Sequence, residues 1–204
     1  HDILHYRLFY YDTDGELQED KTRSNIKISH PFFTELVDQQ AQYMLNGEEF
    51  VKSDIPELQD ELDKVFNDDF TSELTETITS TVTKGFGYMY CYKDSKNNFK
   101  FENADAMGVV EVRAKDTDDN CEYVIYWYID KNTKAGKKIK RIQVWDKEQI
   151  YFYTQADDGA IVDDDTEEIN PRPHIIYRNS NDDESLYYDT LGFIPFFRLD
   201  NNRT

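Results

Sequence analysis

The spacing of apolar side chains changes once along the chain, from helical periodicity in the first part to strand-like alternation later. Residues 30–47 place an apolar stripe on one helical face, with Pro31 suited to the first turn and Asn46 and Gly47 suited to the C-terminal stop. The stripe consists of Phe33, Val37, Ala41 and Met44, widened by Leu36 and Tyr43. This pattern predicts an amphipathic helix.

A second helix is predicted over about residues 56–66. Asp54 and Pro56 form a start signal ahead of a second apolar stripe, and Asn67 with the two aspartates after it ends the pattern. The stripe consists of Leu58, Leu62, Val65 and Phe66.

The stretch from residue 69 to residue 84 has two competing patterns. Its threonines alternate as in a strand, but its large apolar side chains recur at every fourth position. These side chains are Phe70, Leu74, Ile78 and Val82. The four-residue spacing favours a helix, with Asp69 or Thr71 as its cap and Gly85 as its stop.

From Gly87 onwards, short aromatic and β-branched runs alternate with turns, which predicts strands. The predicted strands cover residues 87–92, 99–103, 108–114, 121–129, 138–146, 149–155, 174–179 and 191–199, and a further strand or extended segment is predicted over residues 1–11. No repeat or Pro/Gly/Ser-rich linker divides the chain, so we predict one region over residues 1–204. Its fold class is α+β, with N-terminal helices over about residues 30–85 packed on a mostly antiparallel β-meander over about residues 86–199.

Charge and composition narrow the function classes. The chain has 42 acidic and 23 basic residues and a net charge of −19, and a surface of this sign repels phosphate backbones. No apolar run approaches the length of a membrane span. Only Cys91 and Cys121 are thiols, so we expect packed, reduced side chains and a cytoplasmic setting. Residue 1 is not Met, which favours a piece of a longer protein.

We predict no catalytic, cofactor-binding or metal-binding residue, and no enzyme activity. The histidines are His1, His5, His30 and His174, and none belongs to a recognisable ligand pair. No nucleophile elbow is present, and a glycine pair at Gly85 and Gly87 follows a helix where a phosphate loop would precede one. The sequence leaves nucleic-acid-binding residues unknown.

Two acidic runs and one basic cluster interrupt the predicted elements. The runs at residues 12–20 and 157–168 lack the glycine position of a calcium-binding EF-hand, so we interpret them as solvated loops, with loose cation binding as the alternative. The basic cluster consists of Lys134, Lys137, Lys138, Lys140 and Arg141. We interpret it as a solvated hairpin tip whose lysines protect the edge, with contact to phosphates or to an acidic neighbour as the alternative.

Aromatic side chains alternate over residues 123–129 and 150–154. Such strands mostly bury one face in a core or an interface, but exposed coplanar side chains would also stack on sugars or bases. The candidates for stacking are Tyr126, Trp127, Tyr128 and Trp145. A carbohydrate or cell-wall binding module is therefore the alternative function.

Four stretches, taken in order, carry a resemblance to a known family. They are HDIL at residues 1–4, NIKISHPFFTELVDQQAQYMLNGEEF at residues 25–50, GFGYMYCYKDSKNNFKFENADAMGVVEVRAKD at residues 85–116, and LGFIPFFRLDNN at residues 191–202. The chain resembles the portal proteins of tailed double-stranded-DNA bacteriophages, of the siphophage type. The resemblance covers the part known as the wing, without the stem, clip and crown.

The resemblance implies a structural subunit of a phage or prophage. About a dozen copies would form a closed, head-to-tail portal ring at one capsid vertex, through which double-stranded DNA passes during packaging and ejection. Terminase, capsid or scaffold proteins and neck proteins would be its partners, and the wing alone could remain monomeric. It would lie in the virion, and in the host cytoplasm during assembly. The apolar segment at residues 191–199 would precede the stem.

Overall fold

The computed structural model describes residues 31–45, 51–114, 121–130, 138–156, 159–179 and 182–201. The chain divides into two compact units, which we describe separately. One comprises His1–Gly87 with Arg198–Thr204, and the other comprises Tyr88–Phe197. Helices precede antiparallel strands, so the predicted α+β class is confirmed. The single wing-like region over residues 1–204 stays a prediction, and the strand predicted over residues 1–11 lies outside the described residues.

All three predicted helices are present: α1 Phe32–Leu45, α2 Pro56–Val65 and α3 Asp68–Lys84. Helix α1 packs against α3 through a side that buries Val37 and Ala41, as its stripe predicts. Met44 was predicted to share that side but is 58% exposed. No helix among the described residues is long and apolar enough to cross a membrane.

Helix α3 begins at a different cap from the predicted one. The side chain of Asn67 accepts a hydrogen bond from the Phe70 N–H at 3.2 Å, so neither Asp69 nor Thr71 is the cap. The same asparagine that breaks the pattern of α2 therefore starts α3. The stop is as predicted, since Gly85 adopts a left-handed conformation with φ of 87° and its N–H bonds the Thr81 carbonyl.

The strands are β1 Phe86–Lys93, β2 Phe99–Ala104, β3 Val109–Arg113, β4 Cys121–Asp130, β5 Ile139–Trp145, β6 Gln149–Ala156, β7 Ile161–Asp163, β8 Arg172–Pro173, β9 Ile175–Asn179, β10 Asp182–Asp189 and β11 Phe196–Asp200. Strands β3 to β7 follow one another as an antiparallel meander, and β8 also pairs with β6. A second sheet has the order β11-β1-β2, and β9 pairs with β10.

Strands β7, β8 and β10 were not predicted, and β11 begins only at Phe196. Strand β7 lies inside the acidic run at residues 157–168. The sequence there resembles that of a loop, because only a short apolar stretch separates its aspartates. Strand β10 begins with acidic residues and is held by its antiparallel pairing with β9. Pairing with a neighbour, rather than local propensity, decides such strands.

Candidate functional site

The best-defined constellation in the unit formed by Tyr88–Phe197 is a group of packed aromatic side chains, the aromatic cluster, made of Tyr90, Tyr126, Trp145, His174 and Phe196. Tyr90 and Phe196 are stacked with centroids 5.0 Å apart, and Trp145 meets Phe196 edge-on at 5.4 Å. These side chains come from β1, β4, β5 and β11 and the loop before β9. Such pairs stabilise beyond the area that they bury.

Phe196 also explains the apolar segment at residues 191–199. Its side chain is part of the aromatic cluster, and Pro195 just before it is fully buried. The Pro195 carbonyl accepts a hydrogen bond from the Cys91 N–H of β1 at 3.0 Å. Pro195 and Phe196 therefore pack this segment against β1, while Phe193 and Phe197 are each 45% exposed.

Two carboxylates accept hydrogen bonds from the hydroxyl groups of tyrosines on β1. Glu102 accepts hydrogen bonds from Tyr90 and, at 2.8 Å, from Tyr92, while Glu111 accepts one from Tyr88 at 2.9 Å. Burial, followed by the hydrogen bond to Glu102, raises the pKa of Tyr90 well above its ordinary value. The phenol remains a donor, so these groups form a structural network rather than an acid–base pair.

His174 is 5% exposed and is hydrogen-bonded through both ring nitrogens. Its Nδ1 accepts from the Leu191 N–H at 3.3 Å, so Nε2 carries the proton and donates to the Asp146 carbonyl at 3.0 Å. Burial lowers the pKa of His174 below its ordinary value. The imidazole is neutral, stacks on Trp145 at 5.7 Å, and ties together three separate chain segments.

Arg141 is the member of the predicted basic cluster with the most contacts among the described residues. It bonds Asp130 at 2.9 Å, Asp164, and the Thr166 hydroxyl at 3.1 Å. The hydrogen bond to Asp130 is the main cause that raises the pKa of Arg141. Burial alone would raise the pKa of Asp164, but hydrogen bonds from Thr166 and the charge of Arg141 lower it. Arg141 thus holds the acidic run against β5.

The other members of the basic cluster differ in their surroundings. Lys140 lies over the indole of Trp127 at 4.9 Å, and Lys138 is exposed. Lys134 and Lys137 lie outside the described residues. Contact of this hairpin with phosphates or with an acidic neighbour stays a prediction.

The four candidates for a stacking surface do not form one. Trp145 is 4% exposed because it belongs to the aromatic cluster, and Trp127 is covered on one side by Lys140. Tyr126 and Tyr128 are inclined by 36° to each other, where a sugar platform needs parallel exposed faces. The geometry therefore agrees with the core interpretation of these alternating strands.

Two observations on the described residues bear on metal and nucleophilic chemistry. No group of three or more His, Cys, Asp or Glu among them is placed to hold a metal ion. The thiol of Cys121 lines a shallow cleft with Glu122, Asp146 and Glu148, and burial followed by the charge of Glu111 raises its pKa, which opposes thiolate formation. His1, His5, His30 and the acidic run at residues 12–20 lie outside the described part of the chain.

Sequence reasoning did not identify Glu102 and Glu111 as the acceptors of the tyrosines, nor Asp164 as the partner of Arg141. A signal was present, since each glutamate is an acid inside an otherwise aromatic or β-branched strand. The sequence could not indicate which donor each glutamate would meet, because the tyrosines lie 10 to 23 residues away along the chain. The pairing of β1 with β2 brings Tyr90 and Tyr92 to Glu102, and Tyr88 meets Glu111 of a different sheet.

Comparisons with known proteins identify a matching family and a relative. Residues 1–203 match the sequence profile of a family described as "Phage portal protein, SPP1 Gp6-like". The chain is also 26% identical over 195 residues to the portal protein of Bacillus phage SPP1, an alignment that covers 96% of this chain. The chain spans 38% of the length of that relative.

Proposed function

Because this chain belongs to the family of SPP1 Gp6-like phage portal proteins, we propose that it forms the wing part of a portal subunit. About a dozen copies of the subunit assemble head to tail into a closed ring at one capsid vertex. The role is structural: the ring is the conduit for double-stranded DNA during packaging and ejection, and this part of the subunit performs no catalysis.

The observation that carries the proposal is the family match over residues 1–203, almost the whole chain. The described ionisable groups support a structural role, since the buried ones serve as ties: His174 joins segments and Asp164 bonds Arg141.

The net charge of −19 favours a role in which the wing guides DNA without binding it tightly. Proteins that hold duplex DNA tightly neutralise phosphates with several lysines or arginines. Arg141 is engaged by carboxylates and Lys140 by an indole, so neither offers an unengaged cation to a phosphate. We infer that the acidic wing repels DNA and faces other proteins.

The partners in the proposal are terminase, capsid or scaffold proteins, and neck proteins. The site of action is the virion, preceded by assembly in the host cytoplasm. The chain spans 38% of the relative's length, so these contacts are proposed for the full-length product and not for this chain alone.

Electron microscopy of the full-length product tests the proposal, with mass measurement by light scattering as the second readout. We expect particles with a central hole and a mass of about twelve subunits. A product that stays monomeric under all assembly conditions would overturn the proposal. Tight binding of duplex DNA by this chain, with a steep decrease in affinity as salt rises, would overturn the guidance role alone.

A further inference from the structure

The meander formed by β3 to β7 has two faces of very different exposure. One face is buried, and its core residues are each 8% exposed or less: Val109, Val124, Trp145, Ile150 and Phe152. The strand registers place the alternate residues on the opposite face. We call it the outer meander face, and it consists of the even-numbered residues of β3 and β5 and the odd-numbered residues of β4, β6 and β7.

The outer meander face is open to solvent. Val110 is 50% exposed, Ile129 38% and Ile161 58%. The side chains at the centre of the face are half-buried, which is the exposure of residues shielded mainly by neighbours in their own sheet. These central residues are Ile125, Trp127, Ile142, Val144, Tyr151 and Tyr153.

This face is apolar, although an antiparallel sheet normally turns polar residues to solvent on its open side. Two of its residues are charged, Lys140 and Asp163, and their charges have opposite signs. Lys140 also lies over the indole of Trp127 on the same face. An extensive apolar sheet face in a chain with a net charge of −19 is typical of a surface that another element covers.

Helix α1 carries a narrow apolar strip on the side opposite its packed residues Val37 and Ala41. We call it the α1 strip, and it consists of Phe32, Leu36, Gln39 and Tyr43. Spacings of three and four residues align these side chains along the helix. Tyr43 is 85% exposed and Leu36 48%. No member of the strip is charged, and the exposed acid Glu35 lies at its border.

We propose that the α1 strip of one copy of this protein packs across the outer meander face of a neighbouring copy. The contact rests on the proposed ring, because a head-to-tail ring needs two different and complementary surfaces on every subunit. A helix and a sheet face form such a pair, since a layer of helix on sheet buries the apolar side of both.

The dimensions of the two surfaces match. The fourteen residues of α1 extend over about 21 Å, and the seven residues of β5 extend over about 23 Å. The five strands are about 19 Å wide and a helix is about 10 Å across, so one helix covers about half of the face. It buries on the order of 200 Å² of the sheet, below the roughly 800 Å² per partner of a stable interface. We therefore expect the contact to hold within a ring rather than in isolated pairs.

Charge favours a second copy as the occupant. Two copies that each carry a net charge of −19 repel each other least where acids are few, and both surfaces meet this condition. Lys140 on the outer meander face also provides a counter-charge for Glu35 at the border of the α1 strip. A different protein drawn to this chain by charge would instead approach its acidic surface.

The hairpin of β9 and β10 is another apolar candidate for the contact. Leu186 is 41% exposed and Tyr188 54%. The sequence of β10, DDESLYYD, places four acids around these side chains. A contact through β10 would bring those acids to an acidic neighbour, whereas the α1 strip has Glu35 only at its border. The α1 strip is therefore the better match.

Photo-crosslinking between copies of different isotopic composition tests this contact in the full-length product. An unlabelled copy carrying Tyr43→p-benzoylphenylalanine is mixed with a nitrogen-15-labelled copy before assembly and irradiated, and mass spectrometry identifies the linked peptides. We expect unlabelled α1 peptides linked to labelled peptides of β4 or β5. The control variant Asp60→p-benzoylphenylalanine, at an exposed position of α2, should give at least about tenfold less of that mixed product.

Ile129 and Tyr128 provide matched variants on the two faces of β4. The two side chains are 38% and 37% exposed, but only Ile129 lies on the outer meander face. In the labelled copy, Ile129→Asp should lower the yield of the mixed product about tenfold, because it brings an acid into an apolar contact. Tyr128→Asp should change the yield by less than about twofold. An unchanged yield for Ile129→Asp would overturn the contact.

Electron microscopy of the same mixture distinguishes failure of this contact from failure of the proposed ring. Rings without the mixed product overturn the contact and leave the ring. The mixed product without rings supports the contact and overturns the ring, and the absence of both overturns both.

The identity of the linked peptides decides the remaining outcomes. Linkage of α1 only to unlabelled meander peptides assigns the contact to a single chain, and linkage to α1 of the labelled copy assigns it to a symmetric pair. Either result overturns the proposed contact. The parent crosslink decides among these outcomes even where an aspartate variant fails to fold.

Discussion

Helix α3 and the aromatic cluster build their buried sides from different kinds of side chain. The buried side of α3 is made mostly of small hydroxyl side chains, whereas the aromatic cluster is made of large aromatic side chains with polar tips. The buried residues of α3 are Thr77, Ile78, Ser80, Thr81 and Thr83. The polar atoms of both regions need partners, because an unpaired polar group inside a protein costs free energy.

The partners of the two regions come from different distances along the chain. In α3 the hydroxyls bond the carbonyl four residues earlier, as Thr81 bonds Thr77 at 2.7 Å and Thr77 bonds Glu73 at 2.8 Å. In the sheet, the Tyr88 hydroxyl bonds Glu111, a residue of another strand. The hydroxyls of Thr77 and Thr81 therefore find their partners within the helix, whereas the tyrosines of β1 depend on tertiary contacts with other strands.

The largest effect that we expect is that of Trp145→Ala in the aromatic cluster. Trp145 is 4% exposed and contacts Tyr90, His174 and Phe196, so its removal leaves a cavity that three other segments line. We expect a loss of about 3–5 kcal/mol in the free energy of unfolding, measured by urea denaturation. The matched control is Trp127→Ala, at a half-buried indole, and an equal loss there would refute the central role of the cluster.

Gly87→Ala tests the opposite feature, the small side chains of α3. An added Cβ would lie 2.5 Å from the Thr81 hydroxyl and 2.9 Å from the Thr77 carbonyl, so backbone must move. We expect a loss of about 1–3 kcal/mol by the same measurement. Gly85→Ala is the control for glycine replacement itself, since its Cβ meets no atom within 4 Å and only the positive φ is strained, at about 1 kcal/mol.

The pH dependence that His174 adds is smaller, because it involves one proton. Burial holds the pKa of folded His174 below its ordinary 6.5, so between these two values the unfolded chain binds more protons than the folded one. The contribution is therefore complete above pH 6.5 and is lost as the pH falls towards the folded pKa. In urea denaturation at several pH values, His174→Gln should flatten this slope, and an unchanged slope would contradict it.

The smallest effect should be that of Thr83→Val. The Thr83 hydroxyl is buried and has no hydrogen-bond partner among the described residues. Replacing it by a methyl group of the same shape should be neutral or should stabilise by up to about 1 kcal/mol. Thr81→Val is the matched control, since its hydroxyl bonds the Thr77 carbonyl, and it should cost about 0.5–1.5 kcal/mol. A larger loss for Thr83→Val than for Thr81→Val would show that Thr83 has a polar role.

The same contrast explains which features the sequence predicts well. The predicted ends of the helices lie close to the observed ones, because the spacing of apolar residues and the stop at Gly85 depend only on neighbouring residues. The predicted cap of α3 was wrong, because Asn67, Asp69 and Thr71 are all suitable cap residues and only the geometry of the turn selects Asn67. Strand β10 was missed because its acidic start is stabilised by pairing with β9.

The sequence by itself determined the α+β class, the three helices, most strands of the meander and the family, because each is carried by local spacing or by residue order. Only the tertiary structure decided that Trp145 belongs to the core while Trp127 does not. It also decided that Glu102 and Glu111 accept hydrogen bonds from the tyrosines of β1, and that Asp164 forms an ion pair with Arg141. The physical reason is that a buried polar or aromatic side chain is stabilised by whichever partner the tertiary fold brings within contact distance, and that partner is distant in sequence.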